Sequence, residues 1–139
     1  MILLDTHIWV WWVNESKELS TKHQQIIESQ QAGGLGVSII SCWEVAKLVE
    51  LGRVQLTISV EEWLTEALQY PQIQLLELTP KIVVESTQLP GTFHRDPADQ
   101  MIVATARVLN INLVTADRKI RDYPYVKLAT SAENDAAEE

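Results

Sequence analysis

Five carboxylates stand where predicted strands end or where the neighbouring helices begin. They are Asp5, Glu44, Asp96, Asp99 and Asp117. In an open parallel α/β sheet, ligands collect at the carboxyl ends of the strands. If those ends converge, the like charges oppose one another strongly, and a hard divalent cation such as Mg²⁺ or Mn²⁺ relieves the repulsion. The chemistry that such a site favours is metal-assisted hydrolysis of a phosphodiester bond.

Most of these acids also have a purely structural interpretation. Asp96, followed by a proline, matches the start of a helix. Ser41 and Glu44 have the spacing of a capping box, and Asp117 can cap the turn that follows it. Asp5 resists such an explanation, because it interrupts an apolar stretch in which an unpaired carboxylate is costly. The joint placement of the acids at successive strand ends is therefore the stronger reason to expect a site.

Short apolar segments alternate with helical segments along the chain. Strands are predicted at residues 1–4, 35–38, 73–78, 112–115 and 125–128. Helices are predicted at residues 6–13, 21–31, 41–51, 60–69 and 96–109, with a short one from residue 80. Apolar strands that alternate with helices favour parallel pairing with both faces of the sheet covered. The predicted fold is therefore α/β, a three-layer architecture with a central parallel sheet of about five strands flanked by helices.

The length of 139 residues suits a single domain. Residues 1–130 are predicted to form it, and residues 131–139 to form an acidic, disordered tail. The single cysteine, Cys42, excludes an internal disulfide and a cysteine-rich zinc cluster. The apolar run at residues 8–13 is too short to cross a membrane, and the sequence opens without a basic secretory leader. These features predict a cytoplasmic protein without a membrane segment.

The net charge of −8 argues against a protein that binds nucleic acid over its whole surface. The charge is unevenly distributed, however. Six basic and four acidic residues lie between positions 94 and 127, whereas acids outnumber bases on either side of that segment. An anionic substrate is therefore expected to approach residues 94–127.

Taken together, these residues make the chain resemble the PIN-domain nucleases, and within them the VapC-type toxins of toxin–antitoxin pairs. The matching segments are ILLDT at 2–6, SCWEV at 41–45, DPADQMIVATA at 96–106 and LVTAD at 113–117. One such segment alone is weak, but four in this order in a chain of this length make a specific match.

The resemblance implies a parallel five-stranded sheet, a homodimer and a bound Mg²⁺ or Mn²⁺. It also implies endoribonuclease activity, with tRNA or ribosomal RNA as the substrate class and a cognate antitoxin that holds the activity in check. In the implied mechanism, carboxylates hold the metal, and the metal activates water and neutralises charge on the phosphate.

The resemblance further assigns roles to single residues. The acids implied for metal binding and catalysis are Asp5, Glu44, Asp99 and Asp117, with Asp96 as an accessory metal ligand. The supporting hydroxyls, which orient a carboxylate or water, are Thr6 and Thr115. The family commonly has a basic residue directly after the Asp that corresponds to Asp99, where this chain has Gln100. Substrate contacts are therefore expected from other basic residues of the segment, namely Arg95, Arg107 and Arg118.

The histidines and tryptophans carry weaker signals. His94 lies near the candidate site in a predicted loop, where an exposed histidine without a role is the simpler expectation. His7 lies on the first turn of the first predicted helix, close to the candidate site. The tryptophans of that helix either pack in the core or form a face for a dimer partner or an antitoxin; they are Trp9, Trp11 and Trp12.

Three other functions stay open on the residues alone. A catalytically silent PIN-like module that binds RNA or protein is one, although intact acids argue against it. A phosphoryl-transfer protein with Asp5 as the acceptor is another, although the second Asp found two residues on in haloacid-dehalogenase-like proteins is missing. The last is a structural partner protein without catalysis. Metal titration separates the nuclease from the silent and structural alternatives, and a test for a phosphoprotein isolates the phosphoryl-transfer one.

Overall fold

Residues 1–130 are described by a computed structural model of the chain. In this range, strands and helices alternate in the predicted order. The strands are β1 (Ile2–Leu4), β2 (Leu35–Ser38), β3 (Ile73–Leu76) and β4 (Asn112–Val114). The helices are α1 (Thr6–Val13), α2 (Thr21–Gln30), α3 (Ile39–Glu50), α4 (Val60–Ala67), α5 (Pro80–Ser86), α6 (Pro97–Leu109) and α7 (Arg118–Arg121), with a 3₁₀ turn at Gln31–Gly33.

The strands form a parallel sheet in the order β3-β2-β1-β4. Leu3 of β1 pairs with Gly36 of β2 on one side and with Leu113 of β4 on the other, so β1 is central. The predicted α/β architecture is confirmed, although the sheet has four strands in residues 1–130 where about five were predicted. The expected fifth strand, residues 125–128, contributes one parallel bridge, between Leu128 and Leu113. Pairing ends there because β4 is only 3 residues long and the chain turns at residues 124–126 just before the bridge.

Side chains alternate across β1 and so supply both hydrophobic layers of the fold. Ile2 and Leu4 pack on one face of the sheet with the buried Trp9 of α1. Leu3 packs on the opposite face with Ile102 of α6. The sheet is therefore covered on both faces, as expected for parallel strands.

Acidic side chains cap three of the helices. Asp5, Asp96 and Asp117 each accept a backbone N–H from the first turn of the helix that follows, α1, α6 and α7 respectively. The cap predicted at Asp96 and the cap predicted at Asp117 are both present. Since a capping carboxylate keeps lone pairs for other ligands, this structural role leaves room for a second one.

The start of α3 differs from the prediction. The helix begins at Ile39, with Ser38 as its cap, because the Ser38 hydroxyl accepts a backbone N–H of the first turn at 3.2 Å. Ser41 therefore lies inside the helix, where its buried hydroxyl hydrogen-bonds the Thr6 hydroxyl at 2.8 Å. The capping box expected from Ser41 and Glu44 is thus wrong, and Glu44 has no role in starting the helix.

The tryptophans of α1 are divided between the core and its edge. Trp9 is fully buried and meets the ring of Trp63 from α4 edge-on, with ring centroids 4.9 Å apart. Trp11 and Trp12 are half-buried against the same core, and the Trp12 ring lies 5.6 Å from that of Tyr70. Core packing therefore accounts for the burial of the Trp9 ring and in part for its two neighbours, while the Trp9 indole nitrogen has no hydrogen-bond partner among the described residues.

The predicted acidic tail, residues 131–139, lies outside the described residues. The domain boundary placed at residue 130 stays a prediction. None of the helices in residues 1–130 combines the length and the hydropathy that crossing a membrane requires.

Candidate metal site

The candidate acids meet at the edge of the sheet where the parallel strands end. Asp5 directly follows β1, and Glu44 lies in the second turn of α3, which follows β2. Asp96 and Asp99 lie at the start of α6. Ligand oxygens of Glu44, Asp96 and Asp99 all lie within 4.8 Å of one another. The fold thus brings together carboxylates that are up to 55 positions apart in sequence.

Asp5 is the most deeply buried of these acids, with only 5 % of its surface exposed. The backbone N–H of Thr6 donates to one carboxylate oxygen at 2.8 Å, and the Thr115 hydroxyl donates to the other at 2.6 Å. Burial raises the pKa of Asp5, while these two hydrogen bonds work in the opposite direction. Because both oxygens are already held, Asp5 is a poor candidate for an accessible phosphoryl acceptor.

Burial and mutual repulsion also act on the other acids. The pKa of Glu44 is raised, mainly by burial, with smaller contributions from the Asp5 and Asp96 charges. The pKa of Asp99 is raised from 3.8 to about 7, first by burial and then by the charges of Asp5, Asp96 and Glu44. At neutral pH, the positive groups around the cluster therefore do not balance the negative charge of its carboxylates.

His94 makes the strongest contact of a basic group with the cluster. Its Nε2 lies 2.7 Å from Oδ2 of Asp99, and the histidine side chain is 21 % exposed. This bond lowers the pKa of Asp99 and so opposes the effect of burial. His94 does lie in a loop, as predicted, but it is largely buried rather than exposed, and it contacts a candidate ligand.

Asp117 stands at the exposed rim of the site. Its backbone N–H donates to the Thr115 hydroxyl at 3.1 Å, and its carboxylate accepts the Lys119 N–H at 2.8 Å. Its charge is close enough to contribute to the raised pKa of Asp5. Thr115 therefore connects Asp5 with Asp117. The other predicted hydroxyl, Thr6, lies close enough to Glu44 to oppose the rise in that residue's pKa.

The three predicted substrate arginines lie in different surroundings. Arg107 is engaged: Nε is 2.8 Å from a Glu85 carboxylate oxygen, and Nη1 donates to the Tyr125 carbonyl at 2.6 Å. Arg95 is exposed and lines a cleft of about 460 Å³ that also includes Gln100. Arg118 is exposed at the first position of α7. Arg95 and Arg118 are each adjacent in sequence to a candidate acid, whereas Arg107 is tied to α5.

A divalent cation fits this donor set. Carboxylate oxygens are the ligands that Mg²⁺ and Mn²⁺ prefer, and the acids gathered here raise one another's pKa. Within residues 1–130, Glu44, Asp96 and Asp99 form the group with metal-ligand spacing, and Asp5 lies within electrostatic reach of it. The arrangement can hold a cation at the carboxyl ends of β1 and β2.

A sequence profile described as the PIN domain matches residues 2–125. The chain belongs to the PIN domain family. Within it the chain is of the VapC type, being 37 % identical over 129 residues to Ribonuclease VapC22 of Mycobacterium tuberculosis, a match that covers 93 % of this chain and 96 % of that protein. The family resemblance found in the sequence is confirmed.

Solved structures share the PIN fold of this chain at low sequence identity. VapBC2 from Rickettsia felis, bound to a promoter DNA fragment, superposes with a TM-score of 0.65 at 19 % identity, covering 92 % of this chain and 97 % of the other. A toxin–antitoxin complex from Klebsiella pneumoniae gives 0.58 at 17 % identity, covering 94 % and 99 %. FitAcB from Neisseria gonorrhoeae gives 0.52 at 21 % identity, covering 84 % and 88 %.

His94 and Gln100 were noted in the sequence, but their contacts at the start of α6 were not predicted. His94 hydrogen-bonds Asp99 through its ring, and its carbonyl accepts a hydrogen bond from the Gln100 side chain at 3.0 Å. Gln100, where the family commonly has a basic residue, therefore anchors the loop before α6. No sequence signal predicts the contact between His94 and Asp99, because it depends on how the loop before α6 folds back over that helix.

Proposed function

We propose that the protein is a metal-dependent endoribonuclease that hydrolyses RNA phosphodiester bonds as the toxin of a toxin–antitoxin pair. The observation that carries the proposal is the convergence of Glu44, Asp96 and Asp99 within 4.8 Å, next to the buried Asp5. Carboxylates that raise one another's pKa are a cost to folding, which a structural or purely binding role does not require. The 37 % identity with Ribonuclease VapC22 supports the same activity.

The proposed ion is Mg²⁺ or Mn²⁺. Its proposed ligands, which also serve catalysis, are Asp5, Glu44, Asp99 and Asp117, with Asp96 as an accessory ligand. The all-oxygen donor set and the raised pKa values support a hard cation. When bound, such an ion activates water for in-line attack and stabilises the charge that develops on the phosphate.

The chain's own contribution is to hold the carboxylates in place. The Thr6 N–H and the Thr115 hydroxyl fix the two oxygens of Asp5, and His94 fixes one oxygen of Asp99. Side chains held in this way lose little conformational freedom when a ligand arrives. The protein therefore sets the orientation of these oxygens before a metal ion or a substrate binds.

RNA of the tRNA or ribosomal class is the proposed substrate. Arg95 and Arg118 are the proposed contacts, supported by their exposure and by the open cleft that Arg95 lines. Arg107 is a weaker candidate, since its guanidinium already contacts Glu85 and the Tyr125 carbonyl. The exposed arginines offset the repulsion between the acids and an RNA backbone.

Two protein partners are proposed, a cognate antitoxin and a second copy of the chain. The antitoxin is supported by the fold shared with the toxin–antitoxin complex from Klebsiella pneumoniae. On α3, the large apolar side chains of Ile39 and Trp43 are 40 % and 55 % exposed. Their exposure supports a protein partner that covers this face of the helix. The proposal places the protein in the cytoplasm, together with its RNA substrate.

The test is cleavage of a mixed tRNA and ribosomal RNA pool by purified protein freed of antitoxin, with Mg²⁺ or Mn²⁺. We expect discrete products that disappear with EDTA and in Asp5→Asn. Asp122→Asn, which removes an exposed acid at the end of α7, is the matched control and should cleave normally. RNA binding without cleavage would instead indicate a silent binding module, and loss of both cleavage and metal binding would exclude the nuclease.

A further inference from the structure

A small basic cleft lies beside the acidic site, between α2 and the end of β4. It has a volume of about 60 Å³, and its cationic lining is formed by Lys22 and Arg121, with the His23 ring beside them. Thr115 lines the same cleft and also donates a hydrogen bond to Asp5. The basic cleft is therefore separated from the most buried acid by a single side chain.

The fold builds this cleft from two parts of the sequence with opposite net charge. Arg121 belongs to the basic segment 94–127, whereas Lys22 and His23 come from the acidic part that precedes it. Both α2 residues lie in the first turn of their helix. That turn contains no acidic side chain. The partial positive charge of the helix N-terminus adds to the charge of Lys22.

Arg121 is positioned by neutral acceptors. Its Nη1 approaches Nε2 of His23 at 3.4 Å and the Thr115 carbonyl oxygen at 3.5 Å. A guanidinium only donates, so His23 accepts through Nε2 and carries its proton on Nδ1, which lies 3.0 Å from the Ser20 hydroxyl. In residues 1–130, no carboxylate forms an ion pair with Lys22 or Arg121. The described residues thus leave the charge of the cleft uncompensated.

We propose that the basic cleft binds a backbone phosphate of the RNA strand, next to the phosphate that is cleaved. This inference rests on the proposed nuclease function. A cavity of this size accepts a phosphate group and excludes a nucleobase, and arginine and lysine are common donors to phosphate oxygens. Because Asp5 and its neighbours repel a polyanion, a cationic contact one side chain away holds the strand across them. A backbone contact sets affinity and register and does not read the base sequence.

The test is RNA binding measured by fluorescence anisotropy. The probe is a short, fluorescein-labelled single-stranded RNA of mixed sequence, in buffer with Mg²⁺. All chains are full length and carry Asp99→Asn, so that the RNA stays intact. The test variant adds Lys22→Gln and Arg121→Gln. The matched control instead adds Arg53→Gln and Lys81→Gln, which remove two exposed cations elsewhere on the surface.

We expect the Lys22 and Arg121 pair to weaken binding about tenfold at low salt. The dependence of log Kd on log salt should become shallower by about 0.7 for each phosphate that the variant no longer neutralises. The control pair should keep the slope of the parent chain, and so should Arg121→Lys, which preserves the charge. Equal slopes for the two double variants, with RNA still bound by the parent, would overturn the inference alone. If the unmodified chain neither binds nor cleaves RNA, the proposed function fails with it.

Discussion

Asp99→Asn is expected to stabilise the metal-free protein at alkaline pH. Burial and the charges of Asp5, Asp96 and Glu44 raise the pKa of Asp99 from 3.8 to about 7. A carboxyl whose pKa is raised by folding favours the unfolded chain as the pH climbs from the unfolded value to the folded one. The cost of the Asp99 charge is therefore absent below about pH 4, grows up to about pH 7 and stays constant above it.

The expected magnitude follows from the same difference. A rise from 3.8 to about 7 corresponds to about 4 kcal/mol if the whole effect acts on folding. One of the charges that act on Asp99, that of Asp96, is exposed, so solvent screens its repulsion. The expected gain in the free energy of unfolding is therefore about 1–2 kcal/mol. The hydrogen bond with His94 can persist, because an asparagine amide both donates and accepts hydrogen bonds.

The assay is urea unfolding in EDTA at about pH 8 and at about pH 4. Asp99→Asn should exceed the wild type by about 1–2 kcal/mol at the higher pH and by much less at the lower one. Asp122→Asn, an exposed acid away from the cluster, should change stability by less than about 0.5 kcal/mol at either pH. A gain no larger than that of this control, or a loss, would refute the idea that burial and the neighbouring acids make the Asp99 carboxylate costly to folding. Adding Mg²⁺ should stabilise the wild type more than Asp99→Asn.

Three further substitutions test individual contacts. Thr115→Val removes the 2.6 Å hydrogen bond to Asp5 and should lower kcat for RNA cleavage about tenfold or more. Thr115→Ser keeps the hydroxyl and should retain the wild-type kcat. An unchanged kcat in Thr115→Val would show that Thr115 does not position Asp5. Arg107→Ala breaks its hydrogen bond to the Tyr125 carbonyl and should lower the free energy of unfolding by about 1–2 kcal/mol while cleavage persists; abolished cleavage at normal stability would make it a substrate contact. Gly91→Ala should lower the free energy of unfolding by about 1–2 kcal/mol, because φ is 66° and a Cβ would lie 2.9 Å from the Tyr125 ring; unchanged unfolding would show that the loop adapts.

The fold and the acidic cluster were predictable because they depend on the order of elements. Parallel strands place their carboxyl ends at one edge, so Asp5 and the start of α6 had to approach each other once the α/β alternation was recognised. The buried Asp5 was the clearest single signal, since an apolar stretch tolerates a carboxylate only with partners. Thr115 supplies one of those partners, as expected for a hydroxyl beside the site.

The details that the sequence did not predict depend on how the chain packs. Ser38 and Ser41 are both suitable caps, and only the end of β2 decides that α3 begins after the former. His94 looks like a loop residue until the loop folds back over α6. Lys22 lies in an acidic part of the sequence, and its role emerges only because α2 packs beside Arg121. Sequence patterns specify periodicity and local caps, whereas these contacts join positions far apart in the chain.

The hydrogen bond between Asp5 and Thr115 links positions 110 residues apart. The ribosome makes Asp5 110 residues before Thr115, so pairing of β1 with β4 must wait until β4 has been made. Contacts of such high sequence separation form late, because they close the longest loops. A nascent chain that stops short of β4 therefore carries most of the acids without their final arrangement, and any activity of the site must wait for that strand.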